Sequence, residues 1–449
     1  MPNNPPTGGI QGSGIAFGAI TGFGSIFVNG VEFSTSSAQI RIEDQPGTES
    51  QLRIGQVVLV RGSIASSGLT GSATEVSFND NLEGPIANLD VAGGTFVVLG
   101  QTVRVTGATL FDSSISPASI EGLSNGLVVE VSGFPNATGE ISATRIEGKA
   151  AGGQLELTGT VSNFNAAAST FQINALVVDF SAATIRNGTL ENGRLVEVKG
   201  TTFTPGGALR ATEVEMRAGL GAQNGDLGEL EGLVTRFVSN SDFDIGGQRV
   251  ATDASTQFIT NGLTLGLNVK VEAEGTFNAA GVLLARKVEL KRDASSRVVS
   301  TIDSLDAVAG TFRLDIGVTV SVNAATQLED KLDQPVRPFR FSDLRAGDYV
   351  EVRGFEASTG NTLVAVVLER ERPEDRVELR GTARNVADPN VTILGVNNAL
   401  VGSVEFRDAA DAPITRAEFF AQAAASEAVK LSGRVAGGVV TWEEAELED

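Results

Sequence analysis

The sequence predicts an all-β protein made of six tandem, small, five-stranded OB-like barrels, each with a short helical insert between strands 3 and 4. Three observations carry this: one motif recurs along the whole length, the apolar residues of each copy alternate with a period of two, and a helical or loop segment recurs at one place in the copy. The motif is Gly, two residues, then Val-Glu-Val or a close variant, then Gly. It stands as Gly55-Gln-Val-Val-Leu-Val-Arg-Gly62, Gly126-Leu-Val-Val-Glu-Val-Ser-Gly133, Gly193-Arg-Leu-Val-Glu-Val-Lys-Gly200 and Gly347-Asp-Tyr-Val-Glu-Val-Arg-Gly354. Weaker copies are Gly266-Leu-Asn-Val-Lys-Val-Glu272 and Glu427-Ala-Val-Lys-Leu-Ser-Gly433. A second landmark precedes each copy: Leu82-Glu-Gly84, Leu157-Thr-Gly159, Leu230-Glu-Gly232 and Leu379-Arg-Gly381, with Val299-Ser-Thr301 as a degenerate form and Phe17-Gly18 opening the first.

The elements follow in order. The landmark opens the first strand, and Thr95-Phe-Val-Val98, Thr170-Phe-Gln-Ile173 and Thr311-Phe-Arg-Leu314 form the second. A Gly or Asn turn leads into the third, as in Phe27-Val-Asn-Gly-Val-Glu-Phe33. Ser116–Leu123, Phe341–Arg345 and Thr415–Ala424 are the inserts, the Val-Glu-Val strand is fourth, and stretches such as Ala143–Glu147, Ala211–Glu215 and Ala285–Glu289 close the unit. Five strands with an insert before the fourth is the order of an OB-like Greek-key barrel, with a sandwich as the alternative. The units are 14–80, 81–150, 151–219, 220–293, 294–375 and 376–449, after a Pro/Gly/Ser-rich tether at 1–13. Barrels this small bury little apolar surface, so neighbours are expected to pack through their closing strands. Glu369–Arg376 reads as the clearest boundary, and the Gly-rich stretch 218–228 as a hinge.

Composition narrows the chemistry. The chain has no Cys and no His, which excludes Ser-His-Asp and Cys-His nucleophiles, zinc sites of the nitrogen and sulfur type, and disulfides. A net charge of −21 repels phosphate backbones and anionic membranes, so nucleic acid is not an expected partner. No apolar run is long enough to span a bilayer.

The opening stretch Gly14–Phe33 and the repeated Gly-x-x-Val-Glu-Val-x-Gly resemble a bacterial family of tandem β-barrel repeat proteins known as a domain of unknown function. The likeness covers essentially the whole chain. It implies an envelope or extracellular location, a secretory signal or lipid anchor in the precursor, and a tether remnant at residues 2–13. It implies no activity.

Candidate sites are few. Glu229/Glu231, Glu213/Glu215 and Glu443/Glu444 could serve acid–base work, but solvated outward faces on edge strands are the favoured reading. Asp242 and Asp244, followed by Gly246-Gly247, form a fragment of an oxygen-ligand calcium loop, which makes calcium the one candidate cofactor. Gly18–Gly24 lacks the Lys-Ser/Thr ending of a phosphate loop. The aromatics are Phe, with one Tyr349 and one Trp442, which suits cores better than stacking platforms. The helix at 415–425 is expected to plug its own barrel with Phe419 and Phe420. The resulting expectation is a non-enzymatic, extracytoplasmic structural or interaction protein. Its partners would be itself or other envelope proteins, in fibres or a surface layer. The alternative is a ligand-binding module that holds a cation, small molecule or peptide strand between barrels.

Overall fold

The computed structural model describes residues 12–65, 68–357, 361–426, 428–436 and 439–448. Most of the expected tether, residues 1–11, lies outside them. The protein is nearly all β, with small closed five-stranded barrels in tandem.

The second repeat shows why the motif makes a barrel. Its strands are Leu82–Asp90, Thr95–Val98, Gln101–Arg104, Val128–Pro135 and Ile141–Gly148. The first three form an antiparallel meander, the third runs parallel to the fifth, and the fourth pairs antiparallel with both the fifth and the first. That circuit is closed in the order 1-2-3-5-4-1, which leaves only the start of the first strand with an edge free to pair outside its own barrel. The circuit also closes in the first repeat (fourth and fifth strands Val57–Ile64 and Thr70–Phe78) and in the third (Leu195–Phe203 and Leu209–Met216). It closes again in the fourth (Lys270–Phe277 and Leu283–Leu290) and the fifth (Tyr349–Glu356 and Thr362–Glu371). The sixth keeps the strand order, but Arg384–Ala387, Asn390–Ile393 and Val396–Ala399 form a separate three-stranded sheet among the described residues.

The motif's last glycine has one steric role in all six copies. Gly62, Gly133, Gly200, Gly275, Gly354 and Gly433 each sit where the register between fourth and closing strands shifts. A Cβ at any of them would lie 2.0–2.4 Å from a carbonyl oxygen of the closing strand. The bulge bends the strand round the barrel, and only Gly allows that approach. The fourth copy is therefore Asn268–Gly275, two residues later than the spacing suggested. Its opening position is Asn268, at φ +64, where the first, second, third and fifth repeats place a left-handed Gly such as Gly126, at φ +89.

The inserts vary more than expected. One-turn 3₁₀ helices occur at Glu49–Gln51, Ile120–Gly122 and Phe341–Asp343, and an α-helix at Arg416–Gln422. In the third and fourth repeats the segments 187–194 and 260–269 hold turns, with Arg194 N–H donating to Glu191 and Leu263 N–H to Thr260. A helical insert is thus not a constant of the repeat. In the α-helix Thr415 and Glu418 form a capping box, and Phe419 is fully buried with its ring 5.0 Å from that of Phe406.

Two compact units result: residues 12–21 with 25–292, and 22–24 with 293–449. Within each, barrels join through their first strands, not their closing strands. Leu82 pairs with Leu157 antiparallel, Phe17 with Leu230 parallel, and Val298 with Leu379 antiparallel. The Leu-x-Gly landmark is thus the seam between barrels, and its apolar residue is buried at each one except Phe17, which is half-buried. In the fifth repeat the landmark proves to be Val298-Val299-Ser300, one residue earlier than its sequence suggested, because Val298 takes the ladder position of Leu82. Sequence order is not spatial order either. The first repeat pairs with the fourth, the second with the third, and the fifth with the sixth. A small cluster of Ala19, Val57, Phe134 and Leu233 gathers the first, second and fourth repeats. The stretch expected to be a hinge is tied down instead. Leu220 accepts from Arg61 Nη2 at 2.5 Å, and the Asp226 carboxylate accepts from Ser13 Oγ at 2.5 Å.

Candidate functional site

The motif glutamate builds the polar chemistry of the protein. On the fourth strand it stands opposite a glutamate of the closing strand: Glu130 and Glu147, Glu197 and Glu215, Glu272 and Glu289, Glu351 and Glu369. Like charges directly opposite each other destabilise a sheet, so each rung carries cations. Lys149 binds Glu130, and Arg145 Nε lies 2.5 Å from Glu147. Arg217 binds Glu197 and lies 3.8 Å from Glu215. Lys291 sits 2.9 Å from Glu272 and 3.3 Å from Glu289. Lys331 binds Glu369, and Arg353 spans Glu369 at 2.7 Å and Glu351 at 3.2 Å. In the sixth repeat Lys430 itself opposes Glu446, at 2.8 Å. The sequence carries a signal for this: Glu147-Gly-Lys149, Glu215-Met-Arg217 and Glu289-Leu-Lys291 share one spacing.

The seam of the second and third repeats concentrates these groups. Glu83 on the first strand faces Glu130 on one side and Glu156 on the other, and Glu156 faces Lys199. The first repeat adds Glu43 and Asp44, both at positive φ in a tight turn, and Asp80 in the link between repeats. Lys199 Nζ is 2.9 Å from Glu156, 3.2 Å from Glu197 and 3.8 Å from Glu43, and Arg217 Nη2 is 2.8 Å from Asp44. Burial and neighbouring carboxylates push Glu156 up to about 10. Burial raises Glu130 to about 7, against the pull of Lys149. Asp80 is raised well above the carboxylate range by burial, then by Glu43, Glu156, Glu130 and Glu83. Carboxylates outnumber cations in this junction, and three sets of them lie close enough to share one ion. These are Glu43/Glu156/Glu197, Asp44/Glu197/Glu215 and Asp80/Glu83/Glu130, with ligand oxygens within 4.8 Å of one another. Lys199 already stands among the first set and Arg217 among the second.

Glu229 and Glu231 were expected on a solvated edge, and the structure overturns this. Their strand, Leu227–Ser239, is flanked on both sides, by the first strand of repeat one and by Lys270–Phe277. Glu229 is buried, and burial followed by repulsion from Glu272 pushes it up to about 8. Glu231 stays low although burial opposes this, because Lys270 lies 2.8 Å away and the Ala19 N–H donates to it at 3.1 Å.

The remaining candidates lie apart from these clusters. Asp242 and Asp244 are alternate residues of a second strand, and both accept from the Arg236 guanidinium at 2.6 Å. A cation of the chain itself therefore sits between them. Glu213 pairs with Arg186 at 2.6 Å, Glu443 with Arg434 at 3.3 Å and Glu444 with Arg407 at 3.0 Å. Gly18 packs against Asn29, whose Oδ1 lies 2.1 Å from where a Cβ would be. Tyr349 is buried and donates its hydroxyl to the Arg376 carbonyl at 2.8 Å, and Trp442 is buried in the core. Among the described residues, Phe203 is the one aromatic among the exposed large apolar side chains. Sequence reading missed Glu43, Asp44, Asp80, Glu83, Glu130 and Glu156. The motif glutamates were visible, but which of them meet depends on the seam.

A solved structure, drosophila Unr CSD456, is similar to the chain at 14% identity, covering 48% of this chain and 97% of its own, with a TM-score of 0.12. No curated protein matches. Among the described residues, no helix is long and apolar enough to cross a membrane. The family described as Domain of unknown function (DUF5666) matches residues 18–77, 83–147, 158–215, 231–289 and 299–369, each within one of the repeats traced above. With the larger part of its length accounted for by these five matches, the chain belongs to that family.

Proposed function

We propose that this protein is a non-enzymatic, extracytoplasmic structural or interaction scaffold of six OB-like barrels. One observation carries the reading: the buried ionisable groups tie barrel to barrel and strand to strand. Lys199 and Arg217 bind carboxylates of the first and third repeats, Lys270 holds Glu231 at the seam of the first and fourth, and Arg297 bridges Glu351 and Glu378 at the seam of the fifth and sixth. Groups committed to such ties serve rigidity. The sixth repeat, which the family matches do not reach, keeps the bulge glycine Gly433, a capped helix as its insert and the strand order of a barrel. The acidic surface and the resemblance to envelope proteins support a location outside the cytoplasm and assembly with itself or other envelope proteins. Electron microscopy of the purified protein and of the native cell surface tests this. Ordered polymers or surface arrays are the expected result, whereas a monomer under all conditions with turnover in broad hydrolase assays would overturn it. A second reading, ligand binding between barrels, is favoured by the carboxylate excess at the junction of the first three repeats.

A further inference from the structure

We propose that Asp80, Glu83 and Glu130 form a binding site for one hard divalent cation, Ca²⁺ in the first instance, where the first repeat meets the second. The inference deepens the ligand-binding reading and does not depend on the scaffold. The three carboxylates come from different elements: Asp80 from the link after Thr70–Phe78, Glu83 from Leu82–Asp90 and Glu130 from Val128–Pro135. Glu83 and Glu130 are direct cross-strand partners. A ligand oxygen of each lies within 4.8 Å of those of the other two.

The independent observation is Asp80 itself. Its side chain is 4% exposed, and its Oδ1 has no hydrogen-bond partner among the described residues. A buried carboxylate oxygen without a donor is costly unless it is protonated or bound to a cation. The strongest influences on it after burial are four other carboxylates. Lys149 serves Glu130, and Lys199 is held by Glu156 and Glu197. Here the chain's cation, Lys149, pairs with Glu130 alone of the three carboxylates, whereas Lys199 contacts all three of the first set beside it and Arg217 all three of the second.

The donor set names the ion class. Only oxygen is offered, and the chain has no Cys or His anywhere, which selects Ca²⁺, Mg²⁺ or Mn²⁺ over softer metals. The three oxygens lie close enough together to share one ion, and the flexible six-to-eight-oxygen shell of Ca²⁺ suits a carboxylate set supplied by the protein better than the strict octahedron of Mg²⁺.

The test uses the full chain, stripped with chelator and titrated with CaCl₂ or MgCl₂ by calorimetry at pH 8, with unfolding temperature as a second readout. The expected result is one Ca²⁺ per chain and a rise of about 5 °C in unfolding temperature at saturation. Asp80→Asn removes the calcium response while unfolding, without calcium, no lower than the parent. Glu83→Gln serves as the second variant and weakens binding at least tenfold. An Asp242→Asn/Asp244→Asn double variant keeps the full response. The proposal is overturned if neither cation binds and Asp80→Asn simply stabilises the chain, which identifies a protonated carboxyl cluster. It is equally overturned if both junction variants keep the calcium response.

Discussion

Replacing Gly275 by Ala probes the steric rule that the motif encodes. The new Cβ would stand 2.1 Å from the Leu284 carbonyl oxygen and 2.8 Å from the Ala285 Cα, both backbone atoms that cannot rotate aside. Relief requires the fourth and closing strands of that barrel to part by about 1 Å. Overpacking of this kind costs about 1–3 kcal/mol. Weakening the two ladder hydrogen bonds beside the bulge adds about 1 kcal/mol each. Gly275→Ala is therefore expected to destabilise residues 12–292 by about 3–5 kcal/mol. At about 2 °C per kcal/mol for a unit of this size, calorimetry should show a fall of about 6–10 °C. Gly266 in the same repeat is the control, because nothing lies within 4 Å of its notional Cβ and its φ is ordinary. Gly266→Ala should stay within about 0.5 kcal/mol of the parent. Equal unfolding temperatures for the two variants would refute the claim that close approach, and not backbone freedom, fixes the glycine.

Other expectations follow from the buried charges and the core. Glu229 is raised to about 8 from an ordinary 4.5, so the folded state holds a proton that the unfolded state has lost. Its contribution to stability is full below about pH 4.5 and disappears as pH rises to about 8, at about 1.4 kcal/mol per pH unit. Glu229→Gln should match the parent at pH 4 and exceed it at pH 9 by up to about 5 kcal/mol in denaturant titrations, and identical pH profiles would contradict this. Arg217→Met leaves the buried Glu197 without its guanidinium and should cost about 3–5 kcal/mol in urea unfolding at pH 8. Phe419→Ala empties the centre of a cluster shared with Trp442 and should cost about 3–5 kcal/mol, read by the fluorescence of this single Trp. Unchanged Trp unfolding would place the helix outside the core.

What could be read in advance was whatever one repeat decides alone. Alternating Val and Phe positions gave the strands, since Phe96, Phe171, Phe243 and Phe312 each fill the centre of their own barrel. The recurring motif marked the fourth strand, and stretches such as Ser116–Leu123 and Thr415–Ala424 marked the place of the insert. Relations between repeats were hidden because they depend on which landmark meets which. Leu82 and Leu157 look no different from Leu230, yet the first two pair antiparallel while Leu230 takes Phe17 in parallel. That choice decides whether a motif glutamate faces solvent or a junction, so Glu229 was misplaced and Asp80 overlooked. Glycine content likewise mistook residues 218–228 for a hinge, because Arg61 and Ser13 hold them from 159 and 213 residues earlier in the chain.

The central claim is that barrels join through their first strands, out of sequence order. The absence of Cys from the chain makes a clean test available. A Cβ at Gly14 would lie 3.6 Å from the Leu227 Cβ, within the span of a disulfide, and the two residues are strand partners. In a Gly14→Cys/Leu227→Cys variant, mild oxidation should close a loop between the first and fourth repeats, giving faster migration on non-reducing gels and no free thiol. Persistence of both thiols in the folded, oxidised protein would contradict the seam.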